Sequence, residues 1–138
     1  MSIIESIRDY ILDCPFMNDG RVNIDWLGAS PTEYSIDGTA VNPVVKRYVD
    51  GGALKQFNFT FASVEEYGQD VQNNIRNSGF YEDFAAWLES QSKKGILPLL
   101  SDGKKAFKIE AVSTGYLIEN TPDKGRYVIQ CRLLYYAD

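Results

Sequence analysis

An α+β fold, with helices packed on one face of an antiparallel sheet, is predicted by three features of the sequence. Residues 44–63 (VVKRYVDGGALKQFNFTFAS) form two alternating runs joined across Asp50-Gly51-Gly52. Residues 105–136 hold a second pair of alternating runs around Thr121-Pro122-Asp123-Lys124-Gly125. Ahead of the first pair and between the two lie stretches whose apolar residues recur every three or four positions behind capping signals. Strand pairs and helical stretches kept apart in this way make an antiparallel sheet with helices segregated to one side.

Taken in order, Ser2-Ile3-Ile4-Glu5 has the form of a capping box, and Ile3, Ile4, Ile7, Tyr10 and Ile11 follow at helical spacing. The spacing predicts a helix over 3–13, stopped by Pro15, whose ring also forces Cys14 out of helical geometry. Val22, Ile24 and Trp26 alternate in a short strand ended by Gly28, and residues 33–37 (EYSID) form another, closed by the turn dipeptide Asp37-Gly38. Pro43 stands at the start of the next strand, where a missing amide does least harm.

In the first hairpin Phe57, Phe59 and Phe61 share one parity, and therefore one face. Ser63-Val64-Glu65-Glu66 reads as a second capping box, opening a helix faced by Val64, Tyr67, Val71 and Ile75. Asn77-Ser78-Gly79 is expected to break that helix, and Phe80, Phe84, Trp87 and Leu88 mark another, closed by Lys93, Lys94 and Gly95. Residues 96–100 (ILPLL) are apolar but interrupted by Pro98, so a packed irregular segment is expected. Two long strands follow. In 105–118 Phe107, Ile109, Ala111 and Leu117 share the inward parity, and in 126–136 Tyr127, Ile129, Cys131, Leu133 and Tyr135 do. The helices are expected to cover one sheet face through Tyr67, Val71, Ile75, Phe84 and Trp87, leaving the other face and an edge open to partners.

A chain of 138 residues without internal repeats or linker-like composition is a single domain, 1–138, large enough to bury about two-thirds of its unfolded surface. Fourteen basic against nineteen acidic residues give a net charge of -5, which disfavours nucleic-acid binding, since that affinity comes largely from Lys and Arg displacing phosphate counterions. Cys14 and Cys131 form no C-x-x-C pair, so they are expected to be small buried residues of a reduced protein. No apolar run approaches the length of a membrane span and no signal-peptide pattern opens the chain, so a cytoplasmic setting is expected.

The sequence contains no histidine, which removes the commonest general base, metal ligand and triad partner. Glu65 with Glu66, and Glu82 with Asp83, are the nearest approach to paired acids, but neighbours on a helix point apart. Gly51-Gly52 lies in no phosphate-binding motif. Catalytic, cofactor-binding and metal residues are therefore all expected to be absent. The nine tyrosines are an excess that interfaces and strands both explain, and Tyr48, Tyr116 and Tyr136 lie on the parity opposite the core residues.

The phrases Cys14-Pro15, Asn23-Ile24-Asp25-Trp26-Leu27-Gly28, Tyr34-Ser35-Ile36, Tyr48-Val49-Asp50-Gly51-Gly52 with Phe57-Asn58-Phe59, Asn77-Ser78-Gly79-Phe80-Tyr81-Glu82-Asp83-Phe84, Gly95-Ile96-Leu97-Pro98 and Tyr127-Val128-Ile129-Gln130-Cys131-Arg132-Leu133 occur in that order. Together they resemble the small minor-capsid or tail-terminator proteins encoded in the tail-morphogenesis region of phages and prophages of Gram-positive bacteria. The resemblance spans nearly the whole chain and implies an α+β fold, no catalysis and no cofactor. It also implies a homo-oligomeric ring, typically a hexamer, that caps the tail tube and joins it to the head-tail connector, with DNA only passing through the lumen. Such a protein is assembled in the host cytoplasm and located in the virion at the head-tail junction. The acidic balance fits a lumen through which phosphates slide.

Ring contacts need a sheet edge of one copy and a hairpin tip of the next. The candidate interface residues are accordingly Tyr48, Asp50, Gly51, Gly52, Gln56, Tyr116, Asn120, Asp123, Lys124 and Tyr136. Two other classes compete: a small ligand-binding protein or enzyme with a pocket lined by Tyr, Trp and a carboxylate, and a non-phage adaptor that binds through its sheet edge.

Overall fold

The computed structural model describes residues 2–15, 22–24, 33–66, 71–101, 103–120 and 124–137, with the backbone path alone for 22–24, 33, 65–66, 71–78, 119–120 and 124. The order is α1 (Ile3–Ile11), β1 (Val22–Ile24), β2 (Glu33–Thr39), β3 (Val44–Arg47), β4 (Ala53–Glu66), α2 (Val71–Lys94), β5 (Lys104–Ala111), β6 (Tyr116–Asn120) and β7 (Lys124–Ala137). This is the α+β architecture expected from the sequence. The centre of the sheet is the pair β4 and β7, each of fourteen residues, antiparallel along their whole length. The other strands flank this pair in halves: β2 and β3 take successive parts of β4, and β5 and β6 take successive parts of β7. Among the described residues six strands are antiparallel, and β1 alone runs parallel to its neighbour, β2.

α1 starts as its capping box predicts: Glu5 N donates to Ser2 Oγ at 3.3 Å and Ser2 Oγ donates to Glu5 Oε1 at 3.0 Å. It ends two residues earlier than expected, at Ile11. Its buried face is Ile7, Tyr10 and Ile11. Tyr10 donates to the Ile96 carbonyl at 2.7 Å, and burial pushes its phenol up to about 12, so it stays a donor. That bond pins the irregular apolar segment 96–100 against α1.

The first hairpin turns as its glycines predict. Tyr48 N donates to Gly52 O at 2.8 Å, Gly52 N donates to Asp50 Oδ1 at 3.0 Å, and Gly51 has a φ of 94°, a conformation that glycine adopts without penalty. β3 is nevertheless a short flank, so β4 with β7, not the hairpin, is the centre.

Several local expectations are overruled by tertiary pairing. Ser63 does not cap a helix: β4 continues to Glu66 because Ser63, Val64, Glu65 and Glu66 pair with Tyr127, Arg126, Gly125 and Lys124 of β7. Asp37-Gly38 is not a turn: β2 runs through it to Thr39, with Gly38 opposite Phe59. Asn77-Ser78-Gly79 does not break the helix, and α2 is one element of 24 residues. It ends where predicted, at Gly95 (φ 74°), with Ile96 N donating to Gln91 O at 2.9 Å in the bond pattern of a glycine C-cap. The predicted strand 105–118 is two strands, β5 and β6, separated at 112–115.

The core lies between the sheet and the helices. Phe59 and Phe61 of β4 meet Tyr81, Phe84 and Leu88 of α2, with Tyr34, Ile36, Ile109, Tyr127, Ile129, Cys131, Leu133 and Tyr135 around them. Phe57 shares the parity but is only half-buried. Of the residues expected to cover the sheet, Phe84 is buried and Trp87 packs on Tyr10 with ring centroids 5.3 Å apart. Tyr67 and the side chains of Val71 and Ile75 lie outside the described residues. The outer face is not bare throughout: Ala62, Val64 and Val128 are buried although their parity directs them away from the helices. Its uncovered part is the other end, towards Ala53 and Ala137.

Candidate functional site

At the uncovered end the register assembles one cross-strand row. Lys46 and Tyr136 both stand opposite Leu54, and Tyr136 also stands opposite Lys105. The outer face there reads Lys46, Leu54, Tyr136, Lys105. Two more aromatics join it. Tyr48, entering the turn, lies 6.4 Å from Tyr136 by ring centroid, with Lys46 Nζ 5.6 Å above its ring, within cation–π range. Phe107 lies 5.4 Å from Tyr136 on the other side.

Phe107 corrects the parity assigned from sequence. A bulge between Ala106 and Lys108 inserts one residue into β5, so Ala106 and Ile109 point to the core and Phe107 is turned out, 48% exposed. The same bulge sets Lys108 beyond the Lys105 row, opposite Leu134. Lys46, Lys105 and Lys108 are all exposed, although the chain as a whole is acidic. The sequence carries no turn residue or glycine at 106–108 that would have revealed the bulge.

The candidate interface residues divide between the two ends of the sheet. Tyr48, Asp50, Gly51, Gly52 and Tyr136 gather at the uncovered end. Gln56 is next to them but is committed locally, since its side-chain amide donates to Asn42 O at 2.8 Å and its backbone N to Pro43 O at 2.8 Å, tying down the segment before β3. Tyr116 stands opposite Val128, eight residues along β7 from Tyr136, or about 26 Å at ~3.3 Å per residue. Its hydroxyl accepts from Gln130 Nε2 at 3.1 Å. Asn120 and Lys124 belong to that far end by backbone position, and Asp123 lies outside the described residues. The hairpin tip and the far end of β6 and β7 are thus separate surfaces.

A groove of about 960 Å³ runs between α2 and the edge of β5 and continues to 113–115. Small residues create it: Ala85, Ala86 and Ala111 line it, and Gly115 packs so closely on Tyr81 that a methyl there would overlap the ring. Three of its hydroxyls, on Ser92, Ser113 and Tyr81, are committed to the fold. Ser92 Oγ donates to Ile109 O at 2.7 Å and accepts from Ile109 N at 3.0 Å, sealing the outward backbone of the edge strand. Ser113 Oγ donates to Thr114 O at 2.9 Å and accepts from Gln130 N at 3.0 Å. Tyr81 is bonded to Ser63 Oγ and donates to Tyr127 O at 3.1 Å.

Glu110, also in the groove, accepts from Arg132 Nε at 3.1 Å and from Arg132 Nη2, both at Oε2, and its Oε1 is 3.2 Å from Lys108 Nζ. Burial alone would raise its carboxyl, but hydrogen bonds from Arg132 and Lys108 and their charges outweigh burial and hold it below the usual value. It is therefore an ion-paired carboxylate and a poor proton donor at neutral pH. Cys131 is pushed well up by burial and Cys14 is buried, so neither thiol is presented as a nucleophile.

Among the described residues no cluster of three or more His, Cys, Asp or Glu side chains could hold a metal, and no helix is long and apolar enough to cross a membrane. No protein-family model matches the chain, and no curated protein matches it.

Proposed function

We propose that this chain is a structural subunit of a phage or prophage tail: a tail terminator that closes into a ring, caps the tail tube and joins it to the head-tail connector. The observation that carries the reading is the exposed aromatic and basic end of the sheet, where the hairpin tip Tyr48 to Gly52 stands beside Tyr136 and Phe107. Exposed aromatics grouped at a strand end match the composition of an interface core; they touch one another within the subunit, and all three keep more than a third of their surface open to a partner. The resemblance of the ordered sequence phrases to tail terminators of Gram-positive phages gives this interface its context. The partners are copies of the same chain, about six if the ring follows that family, the tube protein and the connector. DNA passes through the lumen, and the ring sits in the virion at the head-tail junction after assembly in the host cytoplasm.

The role is non-catalytic. Ser92 and Ser113 are tied to backbone and Glu110 to Arg132, which supports a groove that shapes the subunit. Its size is the one feature favouring the alternative, a small ligand-binding protein.

The test is two-dimensional class averaging of isolated tail tubes after addition of the purified chain. The reading predicts closed rings seated on one tube end. Failure to bind tube ends, or turnover of a small substrate that is lost in Glu82→Gln while the fold survives, overturns it.

A further inference from the structure

The row Lys46, Leu54, Tyr136, Lys105, flanked by Tyr48 and Phe107, combines an apolar floor with exposed ammonium groups on both sides. Its counterpart must offer carboxylates beside an apolar side chain. Such a surface exists on the same molecule. α1 buries Ile7, Tyr10 and Ile11, and the turn after it exposes Asp13, so that Glu5, Asp9, Leu12 and Asp13 form the side of this helix turned to solvent. Leu12, the C-cap residue of α1, is 43% exposed and lies between Asp9 and Asp13 in the chain. Arg8 offsets part of the charge through Asp9, at 3.6 Å, and this side stays net negative.

The other acidic helix is a poorer match. On α2, the exposed Glu82 and Asp83 have no exposed large apolar side chain beside them among the described residues, Glu89 is already paired with Lys93 at 3.2 Å, and the helix ends in Lys93 and Lys94, where a lysine-rich surface would meet like charge.

We infer that the Lys46, Tyr48, Lys105, Phe107 and Tyr136 surface of one copy receives the Asp9, Leu12 and Asp13 side of α1 from the next copy. The two surfaces belong to different elements. α1 lies with α2 on the core side of the sheet, whereas the aromatic row is on the outer side, so the contact is head-to-tail and repeats from copy to copy. Lysine stems and aromatic rings cover Leu12, while the carboxylates reach the ammonium groups at the rim. The inference deepens the ring reading and rests on it for the expectation that copies meet in this manner.

Sedimentation of the full chain at about 20 mM and about 0.5 M salt tests it. Wild type is expected to associate with increasing concentration at low salt and at least about tenfold more weakly at high salt. Lys46→Glu with Lys105→Glu forms one variant, and Asp9→Lys with Asp13→Lys a second. All four positions are exposed, and lysine at a helix C-terminus favours the dipole, so both variants are expected to keep the wild-type circular dichroism. Each variant alone sets like charges against each other and is expected to lose association. An equimolar mixture restores opposite charges in both pairings and is expected to regain it.

Wild-type association in either variant alone, or a mixture that stays monomeric, overturns the contact. So does a wild-type chain that remains monomeric at about 1 mM in low salt. A chain that instead binds a single-stranded oligonucleotide through Lys46 and Lys105 without self-association shows a polyanion site, and also overturns it. None of these outcomes removes a ring built on tail tubes through other surfaces, which the tube-binding averages report separately.

Discussion

Replacing Phe61 by alanine tests the packing that positions every exposed surface of this protein. Phe61 is fully buried, stacked on Phe84 with centroids 4.6 Å apart and on Tyr34 at 5.5 Å, with Phe80 and Tyr81 both at 6.4 Å. Truncating a buried Phe to Ala costs about 3–5 kcal/mol, through lost transfer free energy and the cavity left behind. Each stacked pair adds about 0.5–1.5 kcal/mol beyond its buried area, which places Phe61 at the upper end, near 4–5 kcal/mol. A domain of this length has a total stability of roughly 7–20 kcal/mol, so the variant is destabilised and still measurable. Phe61→Leu, which keeps most of the volume but loses the ring stacking on Phe84 and Tyr34, is expected to lose about 1.5–3 kcal/mol. Phe57→Ala, on the same parity but half-buried, is expected to lose about half as much as Phe61→Ala. Urea unfolding followed by tryptophan fluorescence reads all three, with an unchanged m-value as the sign that only stability has moved. A loss below about 1 kcal/mol for Phe61→Ala, or a larger loss for Phe57→Ala, would refute the placement of this β4 face under α2.

Ser92→Ala removes the hydroxyl that bonds both backbone groups of Ile109 and is expected to cost about 1–3 kcal/mol and to speed amide exchange at Ile109, read by hydrogen exchange. Because the Glu110 carboxyl is held below its ordinary value near 4.5, its ion pair stabilises the fold above that pH, and the contribution is lost as pH falls through the folded value. Glu110→Gln is therefore expected to be less stable than wild type at pH 7, by about 1 kcal/mol or less, with the difference shrinking in urea titrations as pH falls below the ordinary carboxylate range; a constant difference would contradict the assignment. Both cysteines are buried, and the raised thiol of Cys131 leaves almost no thiolate at neutral pH, so a thiol reagent is expected to label neither until guanidinium unfolds the chain. Labelling of the native protein at the mixing rate would contradict this.

What the sequence revealed, and what it hid, follows from how local each determinant is. The capping box at Ser2, the glycine turn after Asp50, the end of α2 at Gly95 and the inward parity of β7 from Tyr127 to Tyr135 are set by a few adjacent residues, and each was legible. Ser63 to Glu66 carries an equally good capping signal, yet fourteen continuous pairs with β7 hold it in a strand. Gly79 stays helical because Phe80, Tyr81 and Phe84 on either side of the next turn are anchored in the aromatic core. The site suffered most from one non-local feature. The β5 bulge reverses Phe107 from core to surface, and it is visible only against the register of β7. Tyr48 and Tyr136 were recognisable as outward residues, whereas their meeting with Lys46 and Lys105 depends on pairings across three neighbouring strands.

The copy number and position of this chain on assembled tails bear most directly on the proposed role. Quantitative mass spectrometry of purified tails, combined with electron microscopy of a tagged chain, gives both. The account predicts about six copies per tail, arranged as a closed ring at the end of the tube that meets the head. A single copy per tail, or an isologous dimer located away from the tail axis, would contradict it.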